Sequence, residues 1–365
     1  MPVDLAPDTP ATLVIGYRTA VRILHDPQHF PADPRGWQAT VSPACPVLPA
    51  MGWRPGVMRN SGVAHARYRR AVTDAVAAID LHSLDATVER IAEPLIEAFR
   101  EDGEADLIAQ YALPVAFTVI NSILGVPTEI GRRVAVGLAA MLETVDGASR
   151  GNAEVYEALT ELLALKQELP GDDVTTRLLR HSACLDEQEV VENVLMLYGA
   201  GIEPQQNLVA NTLLLMLTDE RFAGGILGGS LSTRDALDEV LFADPPVANF
   251  CMSYPRQPIL IEDTWLPAHQ PVLISMAACN NDPSLGRGEN GGNRSHLAWG
   301  VGPHACPATS MAYLIAQDAI NQLLDALPEV RLAVASTDLV WRPGPFHRAL
   351  TSLPVQFPPC RPPGR

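Results

Sequence analysis

The chain has 365 residues, of which 47% are hydrophobic and 19% are charged. This length and composition are typical of a globular protein with a sizeable core. Acidic residues outnumber basic residues by 42 to 26, for a net charge of −16, which argues against nucleic acid or an anionic membrane as a partner. The six cysteines form no Cys-x-x-Cys pair, and the N-terminus shows neither a secretory pattern nor a membrane-spanning apolar run, so we expect a reducing, cytoplasmic location and no membrane anchor.

The first third of the chain alternates short regular elements with irregular sequence. Residues 12–15 read as a strand and residues 17–25 as a helix that ends before Asp26 and Pro27. Residues 32–61 are rich in Pro, Gly and Trp and predict an irregular loop. No internal repeat or linker divides the chain, so we expect one domain over residues 1–365.

The next feature is a basic helix that contains His65 and Arg69. These two residues stand four apart, so their side chains share one face of the helix. Taken alone, this pattern fits a solvated basic surface as well as a binding site. From residue 84 to residue 178 the pattern remains helical and suggests core and covering helices without chemistry of their own.

A long central helix is the second informative feature. Asp186 and Glu189 have the spacing of a capping box, and apolar residues continue to Met216, which predicts one helix of about 30 residues, or about 45 Å. Pro204 lacks an N–H group and clashes with the carbonyl four residues earlier, so we expect a kink or an inserted water there. The apolar sequence around Glu203 favours a buried carboxylate with a role over an exposed one.

The most specific feature is a glycine-rich loop that ends on one cysteine. Gly300, Gly302 and Pro303 predict a tight loop before Cys306, and apolar residues at helical spacing follow it. The thiol would then lie beside a helix N-terminus, which favours a thiolate. A buried structural cysteine is the ordinary alternative. The order of the residues Trp299, Gly300, Gly302, His304, Cys306 and Ala308 nevertheless resembles the haem-binding loop of the cytochrome P450 family, with Trp in place of the more usual Phe.

The resemblance extends in order over nearly the whole chain and implies a fold, a cofactor and partners. The implied fold is mainly α (α+β), with small β-sheets and haem b held between the long central helix and the Cys-loop helix. The implied activity is that of a bacterial oxidoreductase that oxygenates or oxidatively couples a small organic molecule. The resemblance further implies a role in secondary metabolism and an actinobacterial type of enzyme. Electrons would come from a ferredoxin and its ferredoxin reductase, and Arg67 and Arg70 would help to dock this acidic donor.

The same resemblance assigns residues to the cofactor. Cys306 is implied to be the axial thiolate ligand of the haem iron, and His65 and Arg69 are implied to hold a haem propionate. The implied cofactor-binding residues are His65, Arg69, Ala200, Gly201, Trp299, Gly300, His304 and Cys306.

In relatives the loop that corresponds to residues 32–61 caps the substrate cavity. Trp37, Met51 and Trp53 are therefore candidates to line the pocket, and Phe346, near the C-terminal ribbon, is another. The alternative for the three loop residues is that they anchor the loop on the core.

The chain departs from the family pattern in two places. The acid and the alcohol that relay protons in relatives appear here as Glu203 and Pro204, so Glu203 becomes the predicted relay, with Gln205 or a water replacing the hydroxyl. The Glu-x-x-Arg motif appears as Glu239 and Phe242, so Glu239 must find another cation or face water. A minor actinobacterial group of relatives shares this feature.

These departures leave other functions open. The protein could be a haem-thiolate protein that uses peroxide, isomerises its substrate or binds a ligand without activating O₂. A chain without haem, in which Cys306 is structural or binds another metal, is a weaker hypothesis, because no second Cys or His cluster has the spacing of a zinc site.

Overall fold

The computed structural model describes residues 1–140, 145–223, 231–285 and 293–359. The fold is mainly α with small β-sheets, as the sequence predicts. The helices are α1 (Tyr17–Leu24), α2 (Arg35–Gln38), α3 (Leu48–Met51), α4 (Gly62–Ala77), α5 (Leu81–Glu97), α6 (Leu113–Leu124), α7 (Thr128–Ala140), α8 (Val145–Glu168), α9 (Val174–Leu179), α10 (Glu187–Gly201), α11 (Glu203–Thr218), α12 (Glu220–Ala223), α13 (Thr233–Ala243), α14 (Met276–Asn280) and α15 (Thr309–Ala326). The strands are β1 (Pro2–Asp4), β2 (Pro10–Val14), β3 (Glu104–Asp106), β4 (Asn249–Ser253), β5 (Ile259–Ile261), β6 (Thr264–Leu266), β7 (Val272–Ser275), β8 (Arg331–Leu332) and β9 (Pro354–Gln356).

The strands form three small sheets. The largest has the order β1-β2-β7-β4, in which β2 and β7 are parallel with Thr12 opposite Val272, and the other neighbours are antiparallel. It joins the N-terminus to the segment that precedes the Cys loop. A second sheet has the order β3-β9-β8, and β5 and β6 form a hairpin. Residues 341–350, here called the C-terminal ribbon, fold back on themselves, with Trp341 paired to Leu350.

Local sequence explains where the helices on either side of the site begin. The side chain of Asp186 accepts from the Glu189 N–H and the Glu189 side chain accepts from the Asp186 N–H, which is the predicted capping box at the start of α10. Ser232 and Asp235 form the same arrangement at the start of α13. These reciprocal bonds satisfy N–H groups that would lack helical partners.

The predicted single central helix is two helices. α10 ends at Gly201 and α11 begins at Glu203, with Ile202 between them at φ −86° and ψ −62°. Pro204 is in the first turn of α11, where its missing N–H breaks the helical bond to the carbonyl of Ala200. The length prediction was therefore wrong, and the break lies at the expected proline.

The two halves of this broken helix belong to different hydrophobic cores. The apolar side chains of α10, such as Val194 and Tyr198, pack with α4 and α8. Those of α11, such as Leu208 and Leu213, pack with α5, α13 and α15. The break is thus the place where the central segment passes from one core to the other. Among the helices in the described ranges, none is long and apolar enough to cross a membrane.

Candidate active site

The Cys loop is held in a tight conformation that suits glycine. Gly300 and Gly302 have φ values of 65° and 73°, in the left-handed region. A Cβ on Gly302 would also lie 2.4 Å from the carbonyl oxygen of Leu24. The backbone N–H of Cys306 donates to the Trp299 carbonyl at 2.7 Å, which closes the loop. Cys306 therefore lies just before the first turn of α15.

The surroundings of Cys306 act on its thiol in opposite directions. The N–H of Ala308 donates to Sγ at 3.4 Å and the cation of Arg69 favours the thiolate, but burial dominates and raises the pKa of Cys306. The helix N-terminus is thus insufficient on its own to make the predicted thiolate. A metal ion bound to sulfur deprotonates such a thiol. No group of three or more His, Cys, Asp and Glu residues that could hold a metal occurs within the described part of the chain.

The side chains of His65, Arg69 and His304 lie together beside the loop, and we call these three residues the cradle. The rings of His65 and His304 are 4.0 Å apart, and Arg69 is close enough to affect both residues. Burial lowers the pKa of His65, and burial together with the neighbouring cationic groups lowers the pKa of His304 to about 3. Both imidazoles are therefore neutral at pH 7, so one guanidinium and two neutral rings face this place. Such a donor set suits a carboxylate.

The region beside the Cys loop contains a buried polar atom without a hydrogen-bond partner and an exposed stretch of α10. Nε2 of His65 is buried and finds no hydrogen-bond partner among the described residues. Ala200 and Gly199 are exposed although the rest of α10 is largely buried, and a Cβ on Gly199 would meet no atom within 4 Å. Gly201 has another surrounding, since its Cβ would lie 2.9 Å from Cδ1 of Ile120. Gly201 therefore allows α10 to approach α6 closely.

These features together fit haem b. A lone thiol can ligate the iron, the His65, Arg69 and His304 donors can hold a propionate, and an open stretch of α10 can lie against a flat ring. An unpartnered buried donor is costly in a folded protein unless a ligand or water satisfies it, so the donor set favours a bound carboxylate group.

No protein-family model matches the chain. Cytochrome P450 107B1 of Saccharopolyspora erythraea is 30% identical over 319 residues, which cover 83% of this chain and 77% of the relative. The chain belongs to the cytochrome P450 family. The P450 monooxygenase PikC of Streptomyces venezuelae is 28% identical over 369 residues, or 97% of this chain and 86% of PikC. The solved P450 structure CYP154A1 from Streptomyces coelicolor A3(2), at 24% identity, superposes with a TM-score of 0.87 over 98% of this chain and 94% of that one. This P450 is thus an oxidoreductase of the monooxygenase type whose cofactor is haem b.

Glu203, the predicted proton relay of this P450, has different surroundings from those expected. The side chain of Glu203 is 46% exposed, so the expectation that it is buried was wrong. The reason is that Glu203 begins α11 at the helix break and turns toward the C-terminal ribbon, where Arg342 donates to its carboxylate and Nδ1 of His347 lies 3.9 Å away. Gln205 is buried, and its amide nitrogen donates to the Ala312 carbonyl of α15 at 3.1 Å.

The candidate pocket residues differ in their surroundings. Trp37 and Met51 are buried in one small core cluster, where the Trp37 ring lies 6.1 Å from the ring of Tyr254. Phe346 is partly buried against the same cluster. This packing is what the alternative, loop anchors on the core, predicts for Trp37 and Met51. Trp53 is 37% exposed and lines a cavity of about 250 Å³.

The wall of that cavity is charged. Arg54, which follows Trp53, donates to Glu192 of α10 at 3.3 Å and to the hydroxyl of Tyr156 at 3.0 Å. Glu192 is almost fully buried, and burial raises its pKa against the opposing effect of Arg54. The loop of residues 32–61 is therefore tied to α10 and α8 by charged and polar contacts.

Helix α13 carries a buried carboxylate, that of Asp238, which the sequence analysis did not single out. Asp238 is 2% exposed, accepts from the Tyr313 hydroxyl at 2.5 Å and from Nε of Arg294 at 3.1 Å, and lies 3.6 Å from Nε of Arg234. The guanidinium of Arg234 lies over the Tyr313 ring, and that ring lies 5.5 Å from Trp299 of the Cys loop. Asp238 thus connects α13 to the start of the loop that presents Cys306.

Glu239, the glutamate of the incomplete motif, has found another cation. Nη2 of Arg221 donates to its carboxylate at 2.5 Å, and its side chain is 29% exposed. Phe242 is buried and meets the ring of His296 edge-on at 6.4 Å. Arg67, a candidate for docking an electron donor, instead holds Glu189 and the carbonyls of Ala183 and Cys184, so its hydrogen-bonding capacity is used within the protein.

Proposed function

We propose that this P450 oxygenates or oxidatively couples a small organic molecule in bacterial secondary metabolism, with electrons from a ferredoxin and its reductase. The lone thiol of Cys306, presented on a glycine loop beside the cradle of His65, Arg69 and His304, is the observation that carries the proposal. The names of relatives support the substrate class: PksS of Bacillus subtilis is named for polyketide biosynthesis, and a Micromonospora griseorubida relative is named mycinamicin IV hydroxylase/epoxidase.

The residues of the site divide the work as follows. Haem b, when bound, supplies dioxygen activation, and Cys306 ligates its iron. His65, Arg69 and His304 hold a propionate, and Trp299 and Gly300 shape the loop around the thiolate. Gly199 and Ala200 form the open stretch of α10 against which the ring would lie, whereas Gly201 packs on Ile120 and lets α10 approach α6. In monooxygenation, two electrons from NAD(P)H and two protons reduce one oxygen atom of O₂ to water, while the other oxygen enters the substrate.

Protons reach the site through Glu203, whose carboxylate lies at the helix break at the start of α11. Arg342 holds its side chain by a charge-assisted bond, which fixes the position of the carboxylate at the helix break. Gln205 has a positioning role, because its amide nitrogen is engaged with Ala312. Substrate enters beneath the loop of residues 32–61, and Trp53 is the aromatic residue of that loop that lines an open cavity.

The second candidate function is oxidation driven by peroxide, without a ferredoxin. Pro204 favours it, because it replaces the alcohol that relatives use beside the acid and has no hydroxyl to donate. Peroxide brings its own protons and electrons, so the missing alcohol would matter less. Isomerisation or ligand binding without O₂ activation would tolerate Pro204 equally.

The experiment gives the haem-loaded protein a panel of polyketides that includes mycinamicin IV, the compound in the name of one relative. One arm supplies ferredoxin, reductase and NADPH, and the other supplies hydrogen peroxide. Product formed with NADPH supports the proposal, whereas product formed only with peroxide supports the second candidate. Pro204→Thr restores the alcohol, and we expect a higher fraction of NADPH electrons to appear in product. An unchanged fraction would contradict the limiting role of this position.

A single domain over residues 1–365 and a cytoplasmic location are also part of the proposal and rest on the lack of linkers and on the scattered cysteines.

A further inference from the structure

The cavity beside Trp53 lies between the loop of residues 32–61 and the helices α8 and α10. Its volume is about 250 Å³, and the residues that line it include Gln38, Trp53, Arg54, Tyr156, Gln188 and Glu192. Pockets that enclose a whole drug-sized ligand have volumes of about 300–1,000 Å³. This cavity therefore suits one substituent of a substrate rather than the whole molecule.

One face of α10 runs from this cavity to the exposed stretch of α10 beside the Cys loop. Gln188, Glu192, Met196 and Gly199 follow one another at spacings of four, four and three residues, so they share that face of the helix. Glu192 and Gly199 are seven residues apart, which is about 10 Å along the axis. Met196, between them, is half-buried and apolar. A ligand on this face would meet a carboxylate, then an apolar side chain, and then the place where the haem would lie.

Glu192 is a carboxylate with spare capacity for a ligand. Its side chain is 4% exposed, and Nη1 of Arg54 donates to its two oxygens at 3.3 and 3.4 Å, whereas strong charge-assisted bonds are about 2.7–2.9 Å long. The same guanidinium also donates to the hydroxyl of Tyr156 at 3.0 Å and to Oδ1 of Asn152 at 3.3 Å. Burial raises the pKa of Glu192 in spite of Arg54, so the guanidinium does not replace all of the hydration that the carboxylate loses.

Two further features favour a cation as the ligand of this cavity. Nε1 of Trp53 donates to Oδ1 of Asn60 at 3.1 Å, which fixes a ring that is 37% exposed. The guanidinium of Arg35 already lies 5.6 Å from the centre of this ring, and aromatic rings attract ammonium groups in the same way. The net charge of −16 adds a general attraction for cationic molecules. The cavity thus offers a carboxylate and an aromatic ring, which are the groups that bind ammonium ions.

We propose that this cavity is a subsite for a cationic amine of the substrate, in which Glu192 binds the ammonium group. Binding there places the carbon to be oxidised beside Gly199 and Ala200, about 10 Å further along α10. The substrate is then an amphipathic amine whose reacting carbon is separated from the nitrogen by an apolar part that contacts Met196. The inference rests on the proposed function, because it names the class of substrate that the same site takes.

The test titrates the haem-loaded protein with two probes that share a ten-carbon chain, decyltrimethylammonium and decanoate. The quaternary nitrogen of the first probe has no lone pair, so it cannot bind to iron. The shift of the Soret band and isothermal titration calorimetry each give a dissociation constant. Glu192→Gln keeps the shape of the side chain and removes its charge. The matched control is Glu187→Gln, which makes the same change at an exposed position of α10 outside the cavity.

We expect the wild type to bind the ammonium probe more tightly than decanoate. Glu192→Gln should weaken binding of the ammonium probe about tenfold, because one charge interaction is lost. The same variant should bind decanoate more tightly, because Arg54 is then free to pair with the probe. Glu187→Gln should match the wild type with both probes. A variant with a damaged fold would weaken both probes, so the opposite changes report on the charge of Glu192.

Equal affinity of the wild type for the two probes, or a preference for decanoate, would overturn the proposal. Weaker binding of both probes by Glu192→Gln, or no change with either, would overturn it as well. Turnover with ferredoxin, reductase and NADPH separates this proposal from the proposed function. Probe binding that follows the charge of Glu192, without any NADPH-dependent product, would uphold the subsite and contradict the proposed function. NADPH-dependent product together with binding that ignores Glu192 would do the reverse.

Discussion

The buried carboxylate of Asp238 gives the sharpest prediction about stability. Asp238→Asn keeps the shape of the side chain and removes its charge, which leaves Arg294 and Arg234 without their carboxylate partner. Removing one member of a buried ion pair costs about 3–5 kcal/mol. Because Arg294 and Arg234 are 59% and 34% exposed and reach water, we take the lower end, about 3 kcal/mol. Tyr313→Phe removes one hydrogen bond to a charged group and should cost about 2 kcal/mol.

The matched control is Glu239→Gln, the same change of charge one residue further along α13. Glu239 pairs with Arg221 at the surface, and exposed ion pairs contribute little to stability, so we expect nearly unchanged unfolding. Urea unfolding of the haem-loaded variants, followed by far-UV circular dichroism and Soret absorbance, measures the difference. The reasoning is refuted if Glu239→Gln destabilises the protein as much as Asp238→Asn does.

Three further predictions concern the motif, the loop and the cradle. Phe242→Arg should lower the yield of folded haem protein, because a charge would replace a buried ring that packs on His296; a higher yield would show that the missing arginine was needed. Burial raises the pKa of Glu192 above 4.5, so the folded protein binds more protons than the unfolded one. The stability of the wild type should therefore fall relative to that of Glu192→Gln as the pH rises above about 4.5. Parallel profiles of stability against pH for the two proteins would disprove this. Arg69→Gln should speed transfer of haem to apomyoglobin, while Arg70→Gln, on the exposed face of α4, should leave the transfer rate unchanged.

The sequence predicted those parts of the molecule that depend on local chemistry. The capping box at Asp186, the irregularity of the central helix at Pro204 and the tight loop before Cys306 each follow from residues within a few positions of one another. The fold also followed, because the ordered resemblance to the P450 family extends over most of the chain. Such features need no knowledge of which distant segments meet.

The parts that were missed depend on helix rotation and on long-range contacts. Asp238 and Glu239 are neighbouring acids, and only the packing of α13 decides that the first is buried and the second pairs at the surface. The contact between Glu203 and Arg342 joins positions 139 residues apart, which no local pattern reveals. For the same reason, the aromatic and apolar loop residues could not be divided into core anchors, such as Trp37, and cavity residues, such as Trp53.

The central claim is that Cys306 ligates haem iron, and the absorbance spectrum of the reduced, carbon monoxide-bound protein tests it most directly. We predict a strongly red-shifted, thiolate-type Soret band in the wild type that is lost in Cys306→Ala, and that is retained in Cys184→Ala as the control for removing a cysteine. A histidine-type spectrum in the wild type, or a thiolate band that survives Cys306→Ala, would contradict the account.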